Sequence, residues 1–212
     1  MTLVTNLDLM KLEPKLFVDA ADSGLTLVSG NDASVSNTSL TSISSDFVTL
    51  EISVQDIVVV SNEPIEIVSI DSATSLSTSR RRMSKESPVL QPSAGTGLAF
   101  SIVSFELILE HVEALTLVAL GIVPNDPDLP VKITDVLHQE DLKRLIALRV
   151  VRQGFERASA VDPVNVTLEA MAGFYAELAR EAEALTSLLI DPDQDGIAEG
   201  RRRISSSSLI RN

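Results

Sequence analysis

Several residue types that support common enzyme mechanisms are absent or rare in this 212-residue chain. There is no cysteine, so disulfides, thiolate catalysis and cysteine-based zinc sites are excluded. The two histidines, His111 and His138, fall on or beside predicted helices, and no Gly-x-Ser-x-Gly segment displays a nucleophilic serine. Gly95-Thr96-Gly97 lacks the lysine and the spacing of a phosphate-binding loop. We therefore expect a protein that is not an enzyme and that needs no catalytic cofactor.

Long apolar runs are also missing. The longest, from Ala114 to Val123, is interrupted by Thr116 and Gly121 and is shorter than the roughly 20 residues that span a bilayer. The N-terminus lacks the basic start and apolar core of a signal peptide. The sequence therefore predicts a soluble protein that makes no membrane contact.

Positive charge is scarce, with 17 Lys and Arg against 30 Asp and Glu and a net charge of −13. This balance argues against a nucleic-acid-binding surface over the whole protein, although local basic patches are compatible with it. Residues 1–79 are strongly acidic and contain only Lys11 and Lys15 as basic residues. Arg80-Arg81-Arg82 then opens a predicted loop that reaches Gly97. Both a solvated surface cluster and a contact with a partner or a nucleic acid remain open for this tripeptide.

Apolar residues spaced by three and four predict three long helices. The strongest such stripe begins at Leu168 and ends at Leu189. A second helix, from about Gln139 to Ser159, carries basic residues on its other faces, for which contacts within the chain or with a second copy are both open. A third runs from an N-cap at Ser104 to Leu120, and a shorter helix from Leu7 to Ala21 is broken by Pro14. The three stripes consist of Leu168, Met171, Tyr175, Leu178, Ala182, Leu185 and Leu189; of Leu145, Leu148, Val151, Phe155 and Ala158; and of Phe105, Ile108, Val112, Leu115 and Ala119.

Residues 23–103 have the composition of strands and turns, with Val, Ile, Thr and Ser interrupted by Gly, Asn and Asp. A turn is predicted at Glu63-Pro64. Several short strands so closely spaced favour a small antiparallel barrel or sandwich. The predicted strands are Leu25 to Val28, Thr38 to Ile43, Ile57 to Val60, Ile65 to Ile70, Thr74 to Thr78 and Leu98 to Val103.

The predicted fold class is therefore α+β: a helical bundle of three long helices and a short N-terminal one, with an inserted small antiparallel β barrel or sandwich. We expect residues 1–22 and 104–200 to form the bundle and residues 23–103 the β module, with a mobile loop near 80–97. Residues 201–212 are expected to form an extended, disordered C-terminal tail.

The segment after the last helix contains alternating acidic residues. Asp191, Asp193, Asp195 and Gly196 match the first half of an EF-hand calcium loop. The twelfth position, where a closing glutamate is needed, is Arg202, and the nearest alternative acid is Glu199. Calcium binding by Asp191, Asp193, Asp195 and Glu199 therefore stays open beside a simple helix-stop turn.

The C-terminal tail combines a basic cluster with two apolar residues. Arg201, Arg202 and Arg203 are followed by a serine run and then by Leu209 and Ile210. A polar segment that ends in apolar residues is suited to ordering on a partner. We therefore expect these five residues to dock on another protein.

The chain resembles the head-tail connector, or neck adaptor, proteins of tailed bacteriophages. The resemblance rests on an N-terminal helix, a small β module, a helix with its following Pro- and Asp-bearing turn, and a last long helix with its Asp-rich turn, Arg cluster and tail. These features are carried by Leu12 to Leu16, Val58 to Val60, Glu66 to Thr74, Leu120 to Pro127, Asp191 to Gly196 and Leu209 to Arg211.

The resemblance implies a structural virion protein without catalytic residues. Such proteins form a ring, commonly twelve-fold, between the portal and the tail, and packaged double-stranded DNA crosses its centre without specific binding. Partners would be further copies of the chain, the portal and downstream neck or tail proteins, after assembly in the host bacterial cytoplasm. The alternatives are another phage assembly part, such as a tail-completion or head-closure protein, a calcium-linked bacterial binding module, and an enzyme of unrecognised class.

Overall fold

The computed structural model describes residues 2–84, 86–122, 133–137, 139–191, 195, 197, 198 and 200–203. The chain is α+β: two helices precede six strands, the other three helices and three short strands follow, and the strands form two separate sheets. The helices are α1 (Asn6–Leu12), α2 (Lys15–Asp19), α3 (Glu106–Ala119), α4 (Glu140–Val161) and α5 (Val166–Leu185). The strands are β1 (Thr26–Ser36), β2 (Ser39–Thr41), β3 (Ile57–Val60), β4 (Glu63–Ser72), β5 (Ser75–Ser79), β6 (Gly95–Val103), β7 (Val136–Leu137), β8 (Ser187–Ile190) and β9 (Gly200–Arg203).

The first six strands form a closed antiparallel barrel in the order β1-β2-β5-β4-β3-β6. Strand β1 closes it, because it pairs with β2 at one end and with β6 along most of its length. Register shifts in the β1–β6 pair near Gly30 and Ala33 bend the strand, as bulges do where a barrel must curve. The interior is filled by apolar side chains from every strand together with Phe47 and Ile52 from the loop between β2 and β3.

Strand β3 contributes side chains both to the barrel core and to the core formed with the helices. All four of its residues are buried, which matches its unbroken apolar sequence Ile-Val-Val-Val. Val58 and Val60 point into the barrel core, whereas Ile57 and Val59 belong to the core formed with the helices. The barrel wall at β3 therefore has apolar contacts on both faces.

The predicted fold class is wrong in the organisation of its helical part. The predicted helical domain contained only helices. The structure adds a second antiparallel sheet of three strands, β7, β8 and β9, to the helical part of the protein. Leu188 and Ile190 of β8 pack into the helical core. The predicted break of the N-terminal helix at Pro14 is confirmed: α1 and α2 are separate helices, and Pro14, which cannot continue α1, is the N-cap of α2. The β module is a closed barrel, which excludes the sandwich.

The C-terminal end of the chain also differs from prediction. Helix α5 ends at Leu185 instead of continuing to Leu189, because Leu189 lies in β8 opposite Arg201. An extended segment with apolar residues at alternate positions, such as 187–190, buries one side against the helices as a strand. Arg201 to Arg203 are therefore in β9, and the expectation of a disordered tail is wrong for these three residues.

The predicted helix faces are confirmed for α4 and only partly for the others. All five residues of the α4 stripe are buried. In α5, Leu168 and Tyr175 are buried, whereas Leu185 is exposed at the helix end. In α3, Leu115 points outward, and Leu109 and Leu117 take the buried positions.

The start of α3 is one residue later than predicted, and two side chains bind its N–H groups. Ser104 Oγ accepts the Glu106 N–H at 3.4 Å, and a distant residue, Asn6, binds the N-cap residue. The N-cap is Phe105, which has no side-chain cap, and its N–H donates to Oδ1 of the buried Asn6 at 2.9 Å. Asn6 opens α1, whose own first turn is closed by a capping box between Thr5 and Asp8. One amide side chain thus joins the beginnings of two helices.

The predicted turn at Glu63-Pro64 is displaced by two residues. The hairpin turn is Ser61-Asn62, both with positive φ (49° and 67°), which is the backbone conformation that two-residue hairpins favour. Glu63 and Pro64 instead begin β4. Proline is tolerated there because β5 pairs with β4 only from Glu66 onward.

Two glycines in long helices should respond oppositely to alanine. A Cβ at Gly154 would lie 2.7 Å from Leu16 Cδ1 and 2.7 Å from Phe105 Cε1, whereas one at Gly173 would meet nothing within 4 Å. Gly154→Ala is therefore expected to lower the free energy of unfolding by about 1–3 kcal/mol through overpacking. Gly173→Ala is the matched control and should raise it by about 0.5–1 kcal/mol, because alanine is the better helix former. Urea unfolding measures both, and equal effects would contradict the close packing of α4 on α2 and α3.

Candidate interaction surfaces

The acidic turn after β8 is described only in part. Asp191 is buried, its N–H donates to the Asp135 carbonyl at 2.8 Å, and its Oδ1 accepts the Asp195 N–H at 3.2 Å. The Asp195 carboxylate in turn accepts the Ile197 N–H. Asp193 and Glu199, the other two predicted calcium ligands, lie outside the described residues. The described bonds fit a turn closed by carboxylates, and calcium binding by this segment stays an untested prediction.

In the part of the chain that the structure describes, no group of three or more His, Asp or Glu side chains is placed to hold a metal ion. None of the described helices combines the length and the apolar character needed to cross a membrane.

The basic cluster Arg80-Arg81-Arg82 is engaged within the chain. Arg80 pairs with Glu63 at 2.7 Å, and Arg81 donates to the Lys11 carbonyl at 3.3 Å. Arg82 is buried, pairs with Glu66 and donates to the Ser87 carbonyl at 3.1 Å. These contacts fasten the loop after β5 onto the outside of the barrel and onto α1. They favour the structural interpretation of the cluster over a free nucleic-acid patch.

The Glu66–Arg82 pair is the most buried ion pair among the described residues. The two side chains are 5% and 8% exposed, and Glu66 Oε1 accepts from Arg82 Nε at 2.6 Å and also from its Nη2. Glu66 Oε2 is buried and has no hydrogen-bond partner in the described part of the chain. Burying the Glu66 carboxylate costs desolvation free energy, which the Arg82 guanidinium offsets. The stability of the contact between the barrel and the loop after β5 therefore depends on Arg82.

Strand β9 places the predicted docking arginines at a sheet edge. Arg201, Arg202 and Arg203 pair through their backbones with Leu189, Leu188 and Ser187 of β8. The order β7-β8-β9 leaves β9 at the outer edge among the strands described. Leu209 and Ile210, the apolar part of the predicted docking segment, lie outside the described residues. The three arginines therefore lie in one strand, and the docking role of the whole segment stays a prediction.

The barrel loop, residues 42–56 between β2 and β3, is held by carboxylates. Asp32 accepts the N–H groups of Ile43 and Ser44, both at 2.9 Å, and hydrogen bonds from Ser44 and Ser42 lower the pKa of Asp32. Asp46 accepts from the N–H and hydroxyl of Thr49, and these bonds lower its pKa as well. Phe47 and Ile52 anchor the loop in the barrel interior.

The same loop displays apolar side chains to solvent. Ile43 is 92% exposed, and Val48, Leu50 and Val54 are between 41% and 60% exposed. The sequence interpretation missed this surface, although the closely spaced apolar residues from Phe47 to Val54 outside any predicted strand were a signal for it. A fixed loop that exposes four large apolar side chains is a candidate contact surface.

A groove forms the second candidate surface. Helices α3 and α5 both pack against α4, and between them lies a cavity of about 610 Å³. We call it the helical groove; it is lined by Leu115 and Thr116 of α3, Arg149 and Arg152 of α4, and Gly173 and Arg180 of α5, among others. Its size falls in the range of about 300–1,000 Å³ typical of binding sites.

The charged groups of the helical groove form ion pairs within the chain, and its arginines keep N–H groups that donate no hydrogen bond in these pairs. Arg149 donates to the buried Thr116 hydroxyl at 2.8 Å and to Glu183 at 2.7 Å, so the basic face of α4 makes contacts within the chain. Arg152 pairs with Glu156 through Nε at 2.8 Å. A guanidinium has five N–H donors, so both arginines keep donors for a further acceptor. The three arginines that line the groove are each paired with one of three lining glutamates, so its charges balance; these are the pairs Arg149–Glu183, Arg152–Glu156 and Arg180–Glu177.

Comparisons of the chain with protein-family models, with curated proteins and with solved structures found no match. They assign no family to the chain and no function to either surface.

Proposed function

We propose that this chain is a structural protein of the neck of a tailed-phage virion: a head-tail connector that forms a ring, commonly twelve-fold, between portal and tail. The resemblance of the sequence to that family is the starting point. DNA would pass through the ring without specific binding, assembly would take place in the host bacterial cytoplasm, and no catalysis is involved.

The observation that carries the proposal is the position of β9. An edge strand exposes backbone N–H and C=O groups that a strand from another protein can pair with. This edge strand is basic, with Arg201, Arg202 and Arg203, and it is followed in the sequence by Ile204, the serine run and Leu209-Ile210. A partner strand with acidic residues, which we assign to the portal, would complement it in both backbone and charge.

The charge of the chain is consistent with a passage for DNA. The net charge of −13 would repel the phosphate backbone, so a DNA molecule crossing a ring of such subunits would meet little attraction. The basic residues Arg80, Arg82, Arg149 and Arg152 contact carboxylates of the same chain. This pairing reduces their availability to DNA.

Two truncations test the docking role of the C-terminus. Deleting residues 204–212 removes Leu209 and Ile210 but keeps β9, and it is expected to leave the melting temperature unchanged while preventing incorporation into particles. Deleting residues 201–212 also removes most of β9 and should lower the melting temperature, because β8 loses its pairing with Arg201 to Arg203. Normal incorporation of the 204–212 deletion would show that Leu209 and Ile210 do not dock on the portal.

A further inference from the structure

We propose that Asp56, Ser104 and Asn6 form a proton-controlled latch between the barrel and the helices, closed when the Asp56 carboxyl group is neutral and loosened when it is ionised. The three residues come from segments that are far apart in the sequence. Asp56 is the last residue of the barrel loop, Ser104 lies between β6 and α3, and Asn6 begins α1. The latch lies within one subunit, so its action does not depend on the proposed ring.

Hydrogen bonds connect the three side chains. The Ser104 hydroxyl donates to the Asp56 carboxylate, and its oxygen accepts an N–H of the Asn6 amide at 3.4 Å. The oxygen of the Asn6 amide accepts the Phe105 N–H at 2.9 Å. Asp56 Oδ2 also accepts the Ser53 N–H at 2.8 Å, and the Asp56 N–H donates to the Ser53 carbonyl at 3.0 Å. One carboxyl group therefore links the last turn of the barrel loop to the beginnings of two helices.

Asp56 is buried without a compensating cation. Its exposed fraction is 2%, and among the described residues its carboxylate bonds only to Ser53 and Ser104. Burial raises the pKa of Asp56, and the hydrogen bonds from Ser104 and Ser53 oppose this only in part. None of the described charged side chains on the loop or on the neighbouring elements pairs with it, among them Asp46 and Glu51 of the loop, Asp8 and Lys11 of α1, Lys15 and Asp19 of α2, Glu66 of β4 and Glu106 of α3.

The neutral acid fits this site better than the carboxylate. It keeps a carbonyl oxygen that accepts the Ser53 N–H, and its O–H can donate to Ser104 Oγ. That oxygen is available because its two N–H contacts, from Asn6 and Glu106, are long at 3.4 Å each. The ionised form carries a buried, unpaired charge, which is unfavourable unless water reaches it.

The raised pKa of Asp56 sets the direction of the pH dependence. A group whose pKa is higher in the closed structure than in the open one stabilises the closed structure most at low pH. This contribution is lost as the pH rises through the raised pKa and Asp56 gives up its proton to solvent. Opening at Asp56 therefore becomes more frequent toward neutral pH, and it frees the end of the barrel loop.

Asp56→Asn tests the latch, because asparagine has the shape of the neutral acid and no charge. Amide hydrogen exchange, corrected for intrinsic rates, gives the protection of the Ser53 and Phe105 N–H groups at about pH 7 and about pH 3.5, above and below the pKa of an ordinary aspartate. The variant should protect both groups about tenfold better than the wild type at the higher pH. At the lower pH, where Asp56 is neutral in the wild type, the two chains should be alike.

Asp46→Asn is the matched control in the same loop. Hydrogen bonds from Thr49 lower the pKa of Asp46, so its ionised form stabilises the loop, and this contribution is lost as the pH falls. Asp46→Asn should therefore reduce the protection of the Thr49 N–H, and more so at the higher pH. The two variants of one loop thus act with opposite signs.

Carbon-13 NMR of the side-chain carboxyl groups gives a readout that needs no variant. In the wild-type chain the Asp56 carboxyl should titrate at a higher pH than that of Asp46. A titration of Asp56 at or below that of Asp46 would overturn the latch. Lower protection in Asp56→Asn than in the wild type at the higher pH, or a change of the same size at both pH values, would also overturn it, because either result gives Asp56 a purely structural role.

Discussion

Arg82→Met is expected to lower the free energy of unfolding by about 3–5 kcal/mol, which is the usual cost of removing one partner from a buried ion pair. Arg82 and Glu66 are both almost fully buried, and Glu66 Oε2 already lacks a hydrogen-bond partner in the described part of the chain. Without the guanidinium, Glu66 would be a buried charge with little compensation. Denaturant unfolding followed by circular dichroism measures the change.

The neighbouring Arg80 provides the matched control for this variant. Its pair with Glu63 is partly exposed, with Arg80 at 51% and Glu63 at 31%. Arg80→Met should therefore change the free energy of unfolding by only about 0–1 kcal/mol. Adding Glu66→Gln to Arg82→Met should restore part of the loss, because the uncompensated charge is removed. Equal effects of Arg80→Met and Arg82→Met would show that the buried pair does not hold the loop to the barrel.

Phe47→Ala is expected to lower the free energy of unfolding by about 3–5 kcal/mol, the usual range for a buried aromatic residue. Phe47 is fully buried, packs edge-on against Phe100 at 6.4 Å, and its N–H donates to the Ala73 carbonyl at 2.7 Å. Its loss would open the barrel core at the place where the loop enters. The barrel loop should lose its fixed conformation in the same variant.

Phe174→Ala is the control for Phe47→Ala. Phe174 is 54% exposed, and its main aromatic contact is an edge-on one with Tyr175 at 5.3 Å. The expected loss is therefore about 0.5–1.5 kcal/mol. Amide hydrogen exchange should show faster exchange in residues 42–56 for Phe47→Ala alone. Unchanged exchange in those residues would contradict the role of Phe47 as the anchor of the loop.

Sequence periodicity predicted the helices best where one helix is surrounded by others. The α4 stripe is confirmed at all five positions because α4 packs against α1, α2, α3 and α5 and its burial follows its own period. Helix α3 packs mainly on α4, so Leu115 can face outward although its spacing fits the predicted stripe. A pattern in one helix does not specify how many neighbours cover it.

Errors in the strands and in the last helix have a common cause in tertiary pairing. Gly30, Asn31 and Asp32 predict a turn by composition, yet they lie inside the 11-residue β1, at a register shift between the pairs that Gly30 and Ala33 make with β6. Leu189 continues the helical spacing of α5 but pairs with Arg201 in a sheet. Local propensity is too weak to decide such cases against contacts between distant segments.

The candidate surfaces were only partly foreseeable for the same reason. The sequence indicates that Arg201 to Arg203 are a basic cluster, but their placement in an edge strand depends on β8. The helical groove requires the relative placement of α3, α4 and α5, for which no single segment carries a signal. Of the candidate surfaces, the barrel loop is the one the sequence comes nearest to predicting. Its apolar residues can be read from the sequence, but their exposure to solvent cannot.

The native mass and symmetry of the purified full-length chain test the proposed function most directly. Images of the protein by cryo-electron microscopy, together with its mass in solution, should show a closed ring of many identical copies with rotational symmetry, commonly twelve-fold. A protein that stays a single copy, even when mixed with the portal protein that we propose as its partner, would contradict the connector role.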